Sequence, residues 1–377
     1  MIEISRRQLL AGVAGATILP ATGVLVGAAT AEAASPACAL PSRAAVLAIA
    51  RRVNDQWIGA NGDPGDNQWA RAAYFSGNMA LYRTTGEARY LRYAERWAEQ
   101  NDYAIHDGVA TRSADDHAAG QVYYDLNDIA PEAHKIAAIN QSIRHMVHSQ
   151  PAKVDDWWWV DALQMAMPVF VRVARRTGDD AYLQKMFALY SDTKRNVGLY
   201  DDINELWWRD DDAKVARSPS GKLVFWSRGN GWALAAHAKI LALNPGLGTR
   251  WPEFRSNIQG LARSLAKAQR ADGLFNVNLA DPTDFGGPET SGTAFFAFGL
   301  AYGIRTGIID RATYLPVVAR AWNGMVATSV HADGFLGYVQ GVGHEPGSSQ
   351  PVTTNSTADF GIGGFLLAAT EVAKLTA

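Results

Sequence analysis

The chain has 377 residues, 48% of them apolar and 19% charged, with a formal net charge of −2 and twelve tryptophans. That is enough apolar material for one large core, and the near-neutral balance, without a like-charge run or basic stripe, excludes a nucleic-acid or polybasic membrane partner. Cys38 is the only cysteine, which excludes an internal disulfide and core thiolate chemistry.

Residues 1–33 read as a removable leader. Ser5-Arg6-Arg7-Gln8-Leu9-Leu10 precedes a weakly apolar Gly/Ala run and then Ala31-Glu32-Ala33, the pattern of a twin-arginine export signal with a small-residue cleavage site. The expectation is export to the periplasm or beyond, with residues 34–377 as one catalytic domain. The alternative is an uncleaved membrane anchor, which Pro20 and the glycines disfavour.

The body repeats one phrase: an aromatic, small-residue apolar helix, a short turn, a more charged helix and a longer loop. The turns at Arg83-Thr84-Thr85-Gly86-Glu87, Arg176-Thr177-Gly178-Asp179 and Arg305-Thr306-Gly307-Ile308 place glycine where a helix ends with positive φ. The pattern predicts apolar helices near 72–83, 117–126, 161–175, 230–243, 293–304 and 360–373. Amphipathic helices alternate with them near 44–57, 88–100, 132–149, 180–194, 253–268 and 312–328.

Helices apolar on all sides must be buried on all sides, so the first set forms an inner ring and the second an outer one. The predicted fold is an all-α (α/α)6 toroid, with helix 44–57 closing against 360–373. Connections from outer to inner helices are the long ones, so function belongs on the face carrying the inner helices' N-termini. Phrases such as Gly198-Leu199-Tyr200-Asp201, Asp272-Gly273-Leu274-Phe275 and Asp333-Gly334-Phe335-Leu336 predict short hairpins around that rim. Six helix N-termini aimed into one bowl favour an anionic guest.

Four candidates collect there: Asp115-Asp116-His117, Asp161, Trp226-Ser227-Arg228 and Asp359. Asp161 lies in Trp157-Trp158-Trp159-Val160-Asp161-Ala162-Leu163-Gln164-Met165. If that run opens a helix, Trp158, Asp161 and Met165 share a face and the acid looks into an aromatic wall. Such a wall raises a carboxyl pKa and suits a proton donor, whereas the helix N-terminus opposes it. Capping is the plainer role for each acid, but two acids from separate helices beside an arginine favour chemistry.

Arg228 is suited to a carboxylate, with glycines beside it that let a ligand approach. Trp226 and Trp232 are candidates for stacking on sugars, and His117 for orienting a hydroxyl. His145 and His148 predict a solvated face rather than a metal site, and no Walker, Rossmann or Gly-x-Ser-x-Gly pattern is present. No cofactor and no metal are therefore expected.

The segments Trp157 to Met165, Gly198 to Asp210, Phe225 to Trp232, Glu289 to Phe295 and Thr357 to Glu371 together resemble the unsaturated glycuronyl hydrolases of glycoside hydrolase families 105 and 88. The resemblance spans nearly all of the chain after the leader. It implies an (α/α)6 fold and removal of a 4,5-unsaturated uronic acid from the non-reducing end of lyase-generated oligosaccharides by hydration of the vinyl ether. It further implies Asp161 as general acid and base, and Asp116 or its neighbour Asp115 as the second acid. Arg228 with Trp226 would hold the uronate, while Met165 and Trp232 would line the site. Rhamnogalacturonyl-specific members can carry a histidine in the loop after the fourth outer helix, where this chain reads Leu206-Trp207-Trp208-Arg209-Asp210; the aglycone is therefore left open, and Arg209 is counted in the substrate-binding set. Two other readings remain: an inverting glycosidase acting on saturated sugars through Asp116 and Asp161, and a non-catalytic sugar-binding toroid.

Overall fold

The computed structural model describes residues 38–376; the proposed leader lies outside the described residues. Helix pairs follow one another along the chain. The inner members are α2 (Trp69–Thr85), α4 (Ala114–His117) with α5 (Ala119–Ile129), α7 (Asp161–Thr177), α10 (Ser227–Leu243), α13 (Thr290–Arg305) and α15 (Asp359–Leu375). The outer members are α1 (Arg43–Ala60), α3 (Ala88–Gln100), α6 (Ala133–His148), α8 (Ala181–Ser191), α12 (Glu253–Ala268) and α14 (Arg311–Thr328). Two short helices, α9 (Asp211–Val215) and α11 (Leu247–Arg250), sit in connections.

Packing runs α2 to α4/α5 to α7 to α10 to α13 to α15 and back to α2, which closes the inner ring, and α1 packs on α15. This is the predicted (α/α)6 toroid. Its cause is visible in burial: from Thr290 through Ile304 every residue of α13 is buried, whereas α3 buries only Tyr90, Tyr93, Ala94, Trp97 and Ala98. The ring closes tightly at Gly77 and Gly363. A Cβ on Gly77 would meet the Gly363 carbonyl oxygen at 2.2 Å, so α2 and α15 approach through bare backbone.

The short turns behave as predicted, with Gly86 and Gly178 in left-handed conformations at helix ends. Around the rim, β1 (Tyr200–Asp201) pairs antiparallel with β2 (Leu206–Trp207), and single bridges join Phe275 to Glu289 and Val330 to Leu336. Among the described residues, no helix is long and apolar enough to cross a membrane.

Candidate active site

The long connections end at the N-termini of the inner helices, and two adjoining cavities open there. The inner one, about 210 Å³, is lined by Trp69, Asp115, Trp159, Asp161, Met165, Arg209, Arg228 and the segment Val342, Gly343 and His344. The outer one, about 600 Å³, shares Asp115, Trp159 and Arg209 and adds Arg112, Ser113, Lys153, Asp155, Asp156 and Trp158. A deep, narrow chamber thus continues into a wide charged vestibule.

Asp161 is the first residue of α7 and is 8% exposed. Its Oδ2 accepts from Arg209 Nε at 3.2 Å. Burial raises its pKa, and this outweighs the lowering by Arg209, by its own backbone N–H and by Arg228. Of the two opposed influences expected on this acid, burial is thus the larger, and the net shift is upward. One turn on, Met165 lines the same chamber.

The second acid at the chamber is Asp115. Burial first, then the Asp161 and Asp116 carboxylates, push its pKa up to about 7 against the pull of Arg209. Asp116 is placed elsewhere: its oxygens accept from His106 Nδ1 at 3.0 Å and from the Thr111 hydroxyl, which ties down the 106–111 loop. The helix starts at Ala114, three residues before the predicted start, so the two acids are turned roughly 100° apart on one helix and only one faces the bowl.

Arg228, the second residue of α10, is fully buried, with its guanidinium between the Trp226 and Phe360 rings at 4.4 and 4.5 Å. Nη1 donates to the Gln340 carbonyl at 2.7 Å and Nη2 to the Gly341 carbonyl at 2.8 Å, while Nε has no protein partner. Burial lowers its pKa to about 10, which leaves it charged at neutral pH. Behind it, Glu289 caps α13 by accepting from Ser291 N and Gly292 N and also takes the Gln340 amide.

The other predicted residues divide. Trp158 is 55% exposed and belongs to the vestibule, with Arg209 over its ring at 5.8 Å; the chamber wall is Trp159, because α7 begins at Asp161 and the preceding residues are not helical. Trp226 gives its indole N–H to Gln340 and lines a small side cleft with His344. Trp232 is buried behind the wall, edge-on to Trp69, and supports the chamber rather than lining it. His117 is likewise away from the cavities: it is fully buried, its Nε2 lies 3.0 Å from Ser142 Oγ, and burial lowers its pKa to about 4. Asp359 pairs with Arg71 at 3.1 Å.

Sequence reasoning missed Trp69, Trp159, Gln340, His344 and the vestibule charges Arg112 and Lys153. Trp69 had a signal, since it opens an inner helix; His344 and Gln340 sit in a 30-residue connection without periodicity. Among the described residues, His106, Asp107 and Asp116 have ligand atoms within 4.8 Å of one another, but Asp116 is already engaged by His106 and Thr111.

A closed double ring of helices with two pKa-raised acids and a buried arginine at its open mouth defines an (α/α)6 sugar hydrolase class. A family model described as Glycosyl Hydrolase Family 88 matches residues 44–376, and the chain belongs to that family. It is 31% identical over 326 residues to an unsaturated 3S-rhamnoglycuronyl hydrolase of Formosa agariphila, covering 81% of this chain and 84% of the relative. A solved family 88 glycosyl hydrolase from Bacteroides vulgatus is 34% identical with a TM-score of 0.83, covering 89% of this chain and 99% of that one. A structure described as a polysaccharide lyase is equally similar, at 34% identity and TM-score 0.83, covering 88% and 98%.

Proposed function

We propose that this glycoside hydrolase removes a 4,5-unsaturated uronic acid from the non-reducing end of an oligosaccharide by hydrating its vinyl ether. The observation that carries the reading is that Asp161, Asp115 and Arg228 line one sugar-sized chamber. Arg228, which lines the chamber, takes the uronate carboxylate with its charge and with the Nη2 hydrogen not given to the Gly341 carbonyl. Asp161, whose pKa burial raises, delivers its proton to C4, and the cation that develops at C5 and the ring oxygen is captured by water beside Asp115. The hemiketal opens at C5, the aglycone leaves from C1 with its glycosidic oxygen, and a keto sugar acid is released.

The activity named for the Formosa relative makes an unsaturated uronate joined to 3S-rhamnose the first substrate to test. The aglycone would extend over Trp158 into the vestibule. Export by the twin-arginine route is part of the same reading and rests on the sequence of residues 5–33 alone.

The relative described as a lyase supports one competitor, because a lyase forms the double bond that this reaction consumes. Ultraviolet absorbance of the conjugated double bond separates them. On lyase-digested ulvan or pectin, hydration lowers the absorbance; on the intact polymer, a lyase raises it. An inverting hydrolase would release sugar with the absorbance unchanged, and a binding protein would do neither.

A further inference from the structure

We propose that Gln340 is a positioning residue that holds both Arg228 and the loop 341–349 in their chamber-lining arrangement, and so sets how tightly the uronate is bound. The inference deepens the uronate reading of Arg228 and rests on it.

Gln340 is fully buried, and every polar group it carries has a partner. Its side-chain Nε2 points into the loop and donates to the carbonyls of Glu345 at 3.0 Å, Pro346 at 3.1 Å and Ser348 at 2.7 Å. Its Oε1 accepts the Trp226 indole N–H at 2.8 Å. Its backbone N–H donates to Glu289 at 3.2 Å, and its carbonyl accepts from Arg228 at 2.7 Å. One residue therefore joins the loop, the ring stacked on the guanidinium and the guanidinium itself.

The loop is built to close around that amide. Ser349 Oγ donates to the Val342 carbonyl at 2.8 Å, and the His344 N–H donates to Ser348 Oγ at 3.2 Å. Gly343 passes so close to Ser348 that an added Cβ would lie 2.0 Å from its Cβ. The outward side of the same loop delivers Val342, Gly343 and His344 to the chamber. Of residues 341–349 only Pro346 is buried and Val342 is 62% exposed, so burial of its own side chains contributes little to fixing the loop in place. Three loop carbonyls converging on one buried side-chain amide hold it. A purely structural glutamine would stabilise the fold without touching substrate affinity; this one accepts a hydrogen bond directly from the residue that takes the carboxylate.

The test uses Gln340→Leu and Gln340→Glu in the full protein. Leucine removes both the loop bonds and the indole acceptor, whereas glutamate keeps an acceptor for Trp226 and loses the donors to the loop. The expected result on unsaturated oligosaccharide is a KM increase of roughly tenfold or more with kcat changed less than about threefold, larger for leucine than for glutamate. Hydrogen exchange without substrate should quicken in residues 342–349 while inner-helix amides keep their protection. Unchanged KM in both variants, or unchanged exchange in that loop, overturns the proposal; equal losses in kcat and KM with global loss of protection also overturn it, as a merely structural role. If leucine prevents folding, the glutamate variant decides alone. Should the wild-type protein leave every unsaturated substrate untouched, the uronate reading fails, and the exchange result still judges the loop.

Discussion

Arg209 Nε lies 3.2 Å from Asp161 Oδ2, with Arg209 Nη1 also 2.8 Å from Asp210. The arginine therefore divides its charge between two acids. It draws the Asp161 pKa down without overcoming burial, so the net shift of the acid stays upward, the direction that favours a proton donor.

Replacing Arg209 by methionine should move the alkaline limb of the kcat/KM profile to higher pH. The guanidinium lowers the pKa of both Asp161 and Asp115, so its removal lets the protonated donor persist further into alkali. A pH-rate profile of the variant checks the sign; a shift toward acid contradicts it.

Asp115→Asn should stabilise the protein at alkaline pH. Its folded pKa of about 7 lies above an unfolded value of about 3.9, so wild-type stability is full below pH 4 and declines as pH rises through 7. The variant's Tm should exceed the wild-type value at pH 8, with the gap vanishing toward pH 4. Differential scanning calorimetry at both values reads it directly.

The two neighbouring acids should differ in activity. Asp115→Asn is expected to lower kcat by a factor on the order of 10² or more, as for loss of a group that contacts the attacking water. Asp116→Asn keeps one acceptor for His106 or Thr111 and should cost less than about tenfold, mostly through the loop it anchors. Parallel steady-state kinetics of the two variants decide which acid works at the chamber.

Arg228→Lys should behave as a severe change. Lysine keeps the charge but not the planar fork held between Trp226 and Phe360 with two carbonyls behind it. A fall in kcat/KM of roughly 10²-fold, carried mainly by KM, is expected. Titration with a saturated uronate would show the same loss as weaker binding.

Much of this arrangement was legible because it repeats. Helices apolar all round can only be inner, the glycine turns mark where they end, and loop length identifies the open face, so the sequence places Asp161 and Arg228 at one mouth, while Arg209 enters only through the family resemblance. Phase was the part that sequence left open. The choice between Asp115 and Asp116 depends on the phase of α4, which starts at Ala114 and not at 117, and the tryptophan run would have put Trp158 on the Asp161 face only if it were helical, whereas α7 begins at Asp161 and Trp159 lines the chamber. Gln340 meets Trp226 across 114 residues of chain, a contact that no local periodicity encodes.

The central claim is that Asp161 supplies the proton, and Asp161→Asn tests it most directly. Asparagine keeps the shape and the contact with Arg209 but has no proton to give. Following double-bond absorbance on unsaturated uronate oligosaccharide, the account predicts a rate lower by a factor of about 10³ or more while the substrate still binds with an affinity within about tenfold of wild type. An Asp161→Asn protein that still consumes the double bond within tenfold of the wild-type rate would contradict it.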